Sequence, residues 1–196
     1  MADFRIASIS SGVALTGVAD FSSGSTAVHG TGTSFSSELT AGDVLITGAG
    51  NVYAVSSITD DDDLVLQSNA TATEAGATMT TVVLTNVETY STPAQIPVGS
   101  IQRWAESFDT GDGLARGLGR LSASWLFPNI DTLTFAGLQA ICSSKSIDVY
   151  MRTLNDLRLG TYRTYRAGLI WPDDEGQYGN SSTMPFKIEF RNIQLL

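Results

Sequence analysis

The sequence predicts a mainly β protein of the sandwich or barrel type, built from two units of which the second is α+β. Short runs in which apolar and small polar residues alternate recur about every ten residues between glycine-rich turns. Charge is divided unevenly, since residues 1–95 carry ten acids against one base, whereas residues 96–196 carry ten of each. Such a change along one chain indicates two units of different origin.

The first half is predicted to contain short strands and almost no helix. The strand candidates are the alternating segments 4–9, 13–16, 43–47, 52–55, 64–66 and 78–87. A single short helical turn is expected near residues 36–39. These segments predict a small β-domain over residues 12–90, either inserted into the second unit or added before it. In the first case residues 1–11 form a strand of the second unit.

The boundary between the units is predicted within residues 88–99. Pro93 and Pro97 fix extended backbone here, and Gly99 follows them. A regular helix or strand cannot continue through such a segment, so the second unit is expected to begin at about residue 96.

The second half is predicted to mix strands with one helix, forming a β-sandwich from residues 1–11 and 96–196. Asp131 is a suitable N-cap, and the apolar spacing that follows it predicts a helix over about 131–143. Alternation predicts strands at 100–108, 118–127, 146–154, 161–171 and 186–195.

Composition argues against an enzyme and against a resident metal or cofactor. His29 is the only histidine and Cys142 the only cysteine, so multi-cysteine metal sites are excluded, and most zinc sites and most Ser-His or Cys-His hydrolases are disfavoured. No apolar run reaches the length of a membrane span, and no signal peptide is visible, so no membrane partner is expected. The net charge of −9 disfavours stable binding of nucleic acid.

Arginines and tyrosines alternate in residues 152–166, a pattern that occurs both in nucleic-acid-binding surfaces and in subunit interfaces. Strand alternation places Arg163 and Tyr165 on one face and Tyr162, Thr164 and Arg166 on the other. Because this divides the cluster between two faces, we favour the interface. The candidate interface residues in this segment are Arg152, Arg158, Tyr162, Arg163, Tyr165 and Arg166.

Two further segments carry charge or glycine in unusual density. Residues 111–119 lack the pattern of a phosphate-binding loop and are expected to order against a neighbouring subunit. Their candidate interface residues are Gly111, Asp112, Gly113, Arg116 and Gly119.

Residues 60–63 are four consecutive aspartates, which could hold a cation or form a solvated turn. The absence of spaced ligands and of a glycine pivot favours the turn.

Four segments of the first half resemble a small β-module that recurs in virion proteins of tailed bacteriophages. They are Gly-Ser-Thr-Ala-Val-His-Gly-Thr-Gly-Thr-Ser-Phe at 24–35, Leu-Thr-Ala-Gly-Asp-Val at 39–44, Tyr-Ala-Val-Ser-Ser-Ile-Thr-Asp at 53–60 and Leu-Val-Leu at 64–66. The resemblance covers residues 22–84. Residues 96–196 are similar in outline to tail-tube subunits, in the helix between strands and in the closing segment Pro185 to Asn192.

The resemblance implies a structural protein located in the phage tail, and in the host cytoplasm during assembly. It implies partners that are copies of the same chain in rings, usually hexameric, together with other tail or capsid proteins. Genomic DNA would be met only in transit. Two alternatives remain open: a capsid decoration protein, and a carbohydrate- or receptor-binding module at the tail tip or baseplate. The second alternative requires an exposed Trp104, Trp125 or Trp171 in a sugar-stacking groove.

Overall fold

The computed structural model describes residues 3–10, 12–91, 96–99, 101–102, 106–109, 115–118, 121–142, 144–156, 160–172 and 185–196. The structure is mostly β, with two α-helices among the described residues, which confirms the mainly β fold class. The chain forms two compact units. The larger consists of residues 1–8 and 85–195, and the smaller of residues 9–84 with Leu196.

The structure contains seventeen strands and two α-helices among the described residues. In chain order they are β1 (Arg5–Ser8), β2 (Val13–Ala14), β3 (Val18–Phe21), β4 (Ala27–Thr31), α1 (Phe35–Glu38), β5 (Val44–Thr47), β6 (Val52–Ile58), β7 (Asp63–Leu66), β8 (Glu74–Ala77), β9 (Met79–Val82), β10 (Thr85–Asn86), β11 (Ile101–Gln102), β12 (Glu106–Asp109), β13 (Ala115–Leu118), β14 (Ser122–Phe127), α2 (Thr132–Ile141), β15 (Ser146–Asp156), β16 (Thr161–Ile170) and β17 (Phe186–Leu195). A 3₁₀ turn, Val87–Thr89, follows β10.

Seven strands of the larger unit form one curled sheet in the order β10-β1-β15-β16-β17-β14-β11. All its pairs are antiparallel, and the three longest strands, β15, β16 and β17, are adjacent. The segment expected as one strand over 100–108 is divided into β11, which joins this sheet, and β12, which pairs with β13 as a separate hairpin.

Aromatic side chains fill the concave interior of the larger unit. Trp125 is fully buried and lies edge-to-face against Phe4 and Phe190, with ring centroids 5.5 and 4.9 Å away. A second group joins Phe135 of α2 to Trp171 and Phe186, with centroids 5.5 and 5.4 Å from Phe135. These contacts pack helix α2, which lies between β14 and β15 in the sequence, against the sheet.

Helix α2 begins where the sequence predicts. Asp131 has extended backbone, and its Oδ1 accepts a hydrogen bond of 2.7 Å from the Thr134 N–H, as an N-cap does. Burial acts to raise the pKa of Asp131, but hydrogen bonds from Ser91 and Thr134 outweigh this effect and lower it. The helix ends at Ile141, before the expected residue 143, because Cys142 leaves the helical conformation.

The smaller unit contains eight strands in the order β2-β9-β5-β6-β7-β4-β3-β8. Only Thr78 separates β8 from β9, yet β8 pairs with β3 and β9 pairs with β5. The segment around Thr78 therefore connects strands that lie far apart in the hydrogen-bonded order of this sheet, which is flat. Fully buried side chains in this unit include Phe35, Leu45 and Val55.

The smaller unit spans residues 9–84, whereas the sequence indicated residues 12–90. Residues 85–90 belong to the larger unit because Thr85 and Asn86 pair with β1 and Val87 is fully buried in the aromatic core. Since β1 pairs with both β10 and β15, the smaller unit lies in sequence between two strands of the larger sheet.

Glycine positions in the smaller unit match close backbone approaches. Gly17 has φ +76°, and a Cβ placed on it would lie 2.6 Å from the carbonyl carbon and oxygen of Gly32, which itself has φ +64°.

Asp43, only 1% exposed, fixes the turn before β5. Its Oδ2 accepts a hydrogen bond from the Thr40 N–H at 2.8 Å, and its Oδ1 accepts one from the Leu84 N–H at 3.2 Å. These bonds join the start of β5 to the end of the unit.

Candidate interface: the charged face of the larger sheet

The predicted interface residues fall into three groups. Gly111, Asp112, Gly113, Gly119 and Arg158 lie outside the described residues. Arg116 lies in β13, opposite Phe108 of β12. The remaining five residues, all on β15 and β16 of the curled sheet, are Arg152, Tyr162, Arg163, Tyr165 and Arg166.

The two tyrosines contribute to packing. Tyr165 is 3% exposed, and its hydroxyl donates to Asn155 Oδ1 at 2.8 Å. Burial raises the pKa of Tyr165. Tyr162 is half-buried and lies edge-to-face against Phe4, with centroids 5.4 Å apart. Tyr165 therefore departs from the expectation of an exposed interface residue, because its face of β16 points into the aromatic core.

Arg152 forms an ion pair within the chain. Its Nε donates to Asp3 Oδ2, and Arg5 donates to Oδ1 of the same carboxylate. Arg152 also donates to the Thr164 hydroxyl at 3.4 Å. Arg5 and Arg152 are directly paired across β1 and β15, so Asp3 offsets the repulsion between two adjacent cations. This arrangement ties the first described residues to the sheet.

Arg163 and Arg166 remain exposed. Arg166 donates to Asp148 Oδ2 at 2.8 Å across β15 and β16, and each side chain is about half exposed. The hydrogen bond from Arg166 to Asp148 raises the pKa of the guanidinium. Arg163 makes no hydrogen bond or ion pair within the described residues.

The outward side chains of β17 continue this charged surface. Lys187 Nζ lies 3.0 Å from Glu189 Oε1, and Arg191 Nη2 lies 3.3 Å from Glu189 Oε2. The hydrogen bond from Lys187, with a further contribution from Arg191, lowers the pKa of Glu189. We define the charged face as Lys145, Asp148, Arg166, Lys187, Glu189 and Arg191.

Two depressions lie on the charged face. One, of about 260 Å³, is lined by Asp148, Arg166, Ala167, Gly168, Asn192 and Gln194. It lies beside the bulge of β17, where Asn192 adopts φ +54°. The other, of about 350 Å³, is lined by Lys145, Ile170, Trp171, Pro172, Lys187, Glu189 and Arg191. We call the second depression the basic cavity, because three cations line it against one carboxylate.

Trp171 lines the basic cavity and carries a buried polar group. Trp171 is 3% exposed, and its Nε1–H has no hydrogen-bond acceptor among the described residues. A buried donor without an acceptor costs free energy, of order 1–3 kcal/mol.

The analysis of the sequence did not select Lys145, Lys187, Glu189 or Arg191. The alternation Phe-Lys-Ile-Glu-Phe-Arg at 186–191 already indicates that the three charges share one face. This pattern does not identify the residues that lie beside the face. Only the pairing of β16 with β17 places Trp171 and Lys145 next to it.

In the smaller unit, residues 60–62 form an exposed turn between β6 and β7, and Asp63 begins β7. We call residues 60–63 the acidic turn. Asp60 Oδ1 accepts the Asp62 and Asp63 backbone N–H groups at 2.9 and 2.8 Å. Thr33 donates to Asp62 Oδ1 at 3.1 Å, Ser36 donates to Asp61 Oδ1, and His29 Nδ1 lies 2.8 Å from Asp63 Oδ1. Neighbouring side chains therefore fix the turn.

Within the described residues, no group of three His, Cys, Asp or Glu side chains is arranged to hold a metal ion. Neither α-helix in that part of the chain has the length and apolarity needed to cross a bilayer. Comparison with protein-family models, with curated proteins and with solved structures finds no match for this chain.

Proposed function

We propose that this chain is a structural virion protein of a tailed bacteriophage, and specifically a tail-tube subunit that assembles with copies of itself into stacked rings. The resemblance of residues 22–84 to a virion β-module carries the proposal. The charged face of the larger sheet supplies a surface suited to contacts between copies. Its outward charges alternate in sign, which favours one orientation of a polar interface over others.

The motif residues of that module have structural roles, which supports its interpretation as a self-contained building block. Phe35 is fully buried, and Asp43 closes a turn through buried hydrogen bonds. Gly24 and Gly32 have φ values of +82° and +64°, a conformation that favours glycine. The motif therefore encodes backbone turns and core side chains, as a module reused in different structural proteins requires.

The carbohydrate-binding alternative loses support from two of its three tryptophans. Trp125 is fully buried, and its Nε1–H donates to Thr153 Oγ1 at 3.0 Å inside the sheet. Trp171 is 3% exposed and packs on Phe135 and Phe186. Neither ring presents an open stacking face to a sugar. Trp104 lies outside the described residues.

Genomic DNA is proposed only as a molecule in transit. The net charge of −9 opposes stable contact with the phosphate backbone, and a tube must let DNA pass without holding it. The assembled protein would therefore bind itself far more strongly than it binds DNA.

The oligomeric state of the full chain tests the proposal. Native mass spectrometry and negative-stain microscopy of one purified sample should show rings, hexameric in the proposed tube, and tubes at higher concentration. Compact trimers that bind empty capsids would instead support the decoration alternative. A monomer at all concentrations tested would contradict the tail-tube proposal.

A further inference from the structure

The first depression on the charged face is lined by side chains with unused hydrogen-bonding groups, and we call it the polar depression. The side-chain amides of Asn192 and Gln194 line it and make no hydrogen bond in the part of the chain that the structure describes. Arg166 and Asp148 use one nitrogen and one oxygen for the bond between them. A guanidinium has five N–H donors and a carboxylate two acceptor oxygens, so both groups keep capacity for a ligand.

A β-bulge brings Asn192 to this surface. The register between β16 and β17 shifts between Arg166 and Gly168, which leaves Asn192 and Ile193 together opposite Ala167. Asn192 has φ +54°, the only positive φ of a non-glycine residue within the described ranges. The extra residue leaves Asn192 exposed while Ile193 stays buried in the core. Bulges redirect side chains in this way and are frequent beside functional sites.

Gly168 leaves space in the polar depression that the backbone does not require. A Cβ placed on Gly168 would lie 3.6 Å from the Arg191 carbonyl oxygen and 3.9 Å from Asp148 Oδ1, which are ordinary van der Waals distances. Its φ is not positive either. A larger side chain at this position would therefore fill the depression without straining the strand.

The charges around the polar depression favour an uncharged ligand. Arg166 and Asp148 form an ion pair in its wall, and the other polar side chains that line it are neutral. An anion would be repelled by Asp148 and a cation by Arg166. A hydroxyl group both donates and accepts, so neighbouring hydroxyls of a sugar match a wall that mixes donors with acceptors.

The position of the polar depression within the sheet disfavours an extended peptide. β16 and β17 are interior strands, each with a hydrogen-bonded neighbour on both sides, so a peptide cannot be added there as a further strand. Recognition depends on the side chains instead. The volume of about 260 Å³ lies just below the lower end of ordinary small-molecule sites, about 300 Å³, which suits a single sugar ring.

We propose that the polar depression binds one ring of a neutral carbohydrate, with the Asn192 and Gln194 amides and the Arg166–Asp148 pair as its hydrogen-bonding groups. This second function is independent of the self-assembly proposed above. The site also differs from the tryptophan groove of the tail-tip alternative, since none of its lining residues is aromatic. Binding that relies on hydrogen bonds alone is weak, and we expect a Kd on the order of 1 mM.

Saturation-transfer difference NMR on the full-length protein tests this site, because it observes the sugar and works equally on monomers and assemblies. The probes are D-glucose, D-galactose and N-acetyl-D-glucosamine, each titrated to about 50 times the expected Kd. At least one should give a saturable signal. Gly168→Val, which fills the depression, should abolish that signal. Asn192→Gly removes the amide but tolerates the positive φ, and should weaken binding about fivefold.

Lys187→Gln is the matched control, because it changes an exposed side chain of the charged face that does not line the polar depression. It should leave sugar binding unchanged. Far-UV circular dichroism checks the fold of each variant, and Asn192→Gly keeps the test decisive if Gly168→Val unfolds.

The outcomes separate this site from the proposed function. No saturable signal with any of the three sugars would overturn the site, as would binding that Gly168→Val and Asn192→Gly both retain. Loss of self-association in folded Gly168→Val, without sugar binding by the wild type, would assign the depression to a contact between copies and also overturn it. Sugar binding by a protein that stays monomeric would support the site and contradict the tail-tube proposal.

Discussion

The larger and smaller units stabilise their β-sheets by different means. The larger has strands of up to 11 residues around a core of aromatic rings that includes Trp125, Phe186 and Phe190. The smaller has strands of 2 to 7 residues, and its described core contains only Phe21, Phe35 and Tyr53 as buried aromatics. It relies instead on glycines with positive φ and on aspartates that accept backbone N–H groups.

This difference predicts which substitutions each unit tolerates. In the larger unit the free energy of unfolding should depend chiefly on side-chain volume, because interlocked rings leave cavities when they are truncated. In the smaller unit it should depend chiefly on backbone conformation and turn hydrogen bonds. The two units therefore require different test substitutions, and the effects below are ordered from the largest to the smallest.

The largest effect is expected for Trp125→Ala. It removes a fully buried ring with two aromatic neighbours and leaves the Thr153 hydroxyl without its donor. We expect the larger unit to lose about 3–5 kcal/mol of unfolding free energy. Urea unfolding followed by tryptophan fluorescence measures this unit, since Trp104 and Trp171 remain and the smaller unit contains no tryptophan.

Leu133→Ala is the matched control for that experiment. Leu133 is on helix α2 of the same unit but is 65% exposed, so its truncation should change the unfolding free energy by less than about 0.5 kcal/mol. Equal losses for the two variants would contradict the view that interior volume determines the stability of the larger unit.

Gly17→Ala should have the next largest effect and tests the smaller unit. The substitution forces a positive φ on alanine and drives its Cβ to 2.6 Å from the Gly32 carbonyl. We expect a loss of about 2–4 kcal/mol, from backbone strain and overpacking together. Urea unfolding followed by the His29 proton resonance measures the smaller unit.

Gly24→Ala separates the two contributions. Gly24 has a similar φ of +82°, but a Cβ placed there meets nothing within 4 Å. We expect about 1–2 kcal/mol, which is the strain alone. If Gly17→Ala costs no more than Gly24→Ala, the close approach at Gly32 does not contribute to stability.

Asp131→Ala should destabilise helix α2 by about 1 kcal/mol, because the Thr134 N–H loses its acceptor. Asp131→Asn, which keeps a capping oxygen, should retain most of that stability.

The lowered pKa of Asp131 means that its charge stabilises the fold above the pKa that this carboxyl has in the unfolded chain. This contribution is lost as pH falls through the pKa of the folded state. Urea unfolding at several acidic pH values compares the three proteins, and equal pH dependence of wild type and Asn variant would contradict a role for the charge.

The smallest effect on stability is expected at His29. Its hydrogen bond and ion pair with Asp63 raise the pKa of the imidazole above 6.5, on an exposed part of the acidic turn. The stabilisation is fully present below pH 6.5 and is lost as pH rises through the folded value. An NMR titration of His29 should show this raised pKa, and Asp63→Asn should return it toward 6.5.

Asp20→Asn is the control for the titration. Asp20 also acts to raise the pKa of His29, but it does so less than Asp63. The pKa of His29 should therefore fall less in the Asp20 variant. If both variants shift the pKa equally, the general negative charge of the unit, and not the contact with Asp63, determines the titration of His29.

The main elements of the fold could be predicted because they depend on local patterns. Alternation identified strand β17 with its observed bounds, and the capping preference of aspartate located the start of helix α2 at Asp131. The assignment of residues 85–90 was wrong, because it depends on pairing between Thr85 and β1. Local composition carries no information about a partner strand so distant in sequence.

The candidate interface could likewise be predicted from local patterns only in part. Alternation predicts that Arg163 and Tyr165 share one face of β16, but it could not decide whether that face is core or solvent. Tyr165 enters the core, whereas Arg163, two residues earlier and nearer the end of the strand, is exposed. Burial depends on what packs across the sheet, and Phe4, Trp125 and Phe190 come from three different strands or termini.

The sequence by itself determined the mainly β class, the division of charge between two halves, the N-cap at Asp131 and the shared face of Lys187, Glu189 and Arg191. These follow from backbone periodicity and side-chain chemistry over a few residues. Only the tertiary structure decided that β1 joins β10 to β15, and that Lys145 and Trp171 meet the charged residues of β17. Those contacts arise from pairing between distant strands, whose register is selected by the common core that they bury.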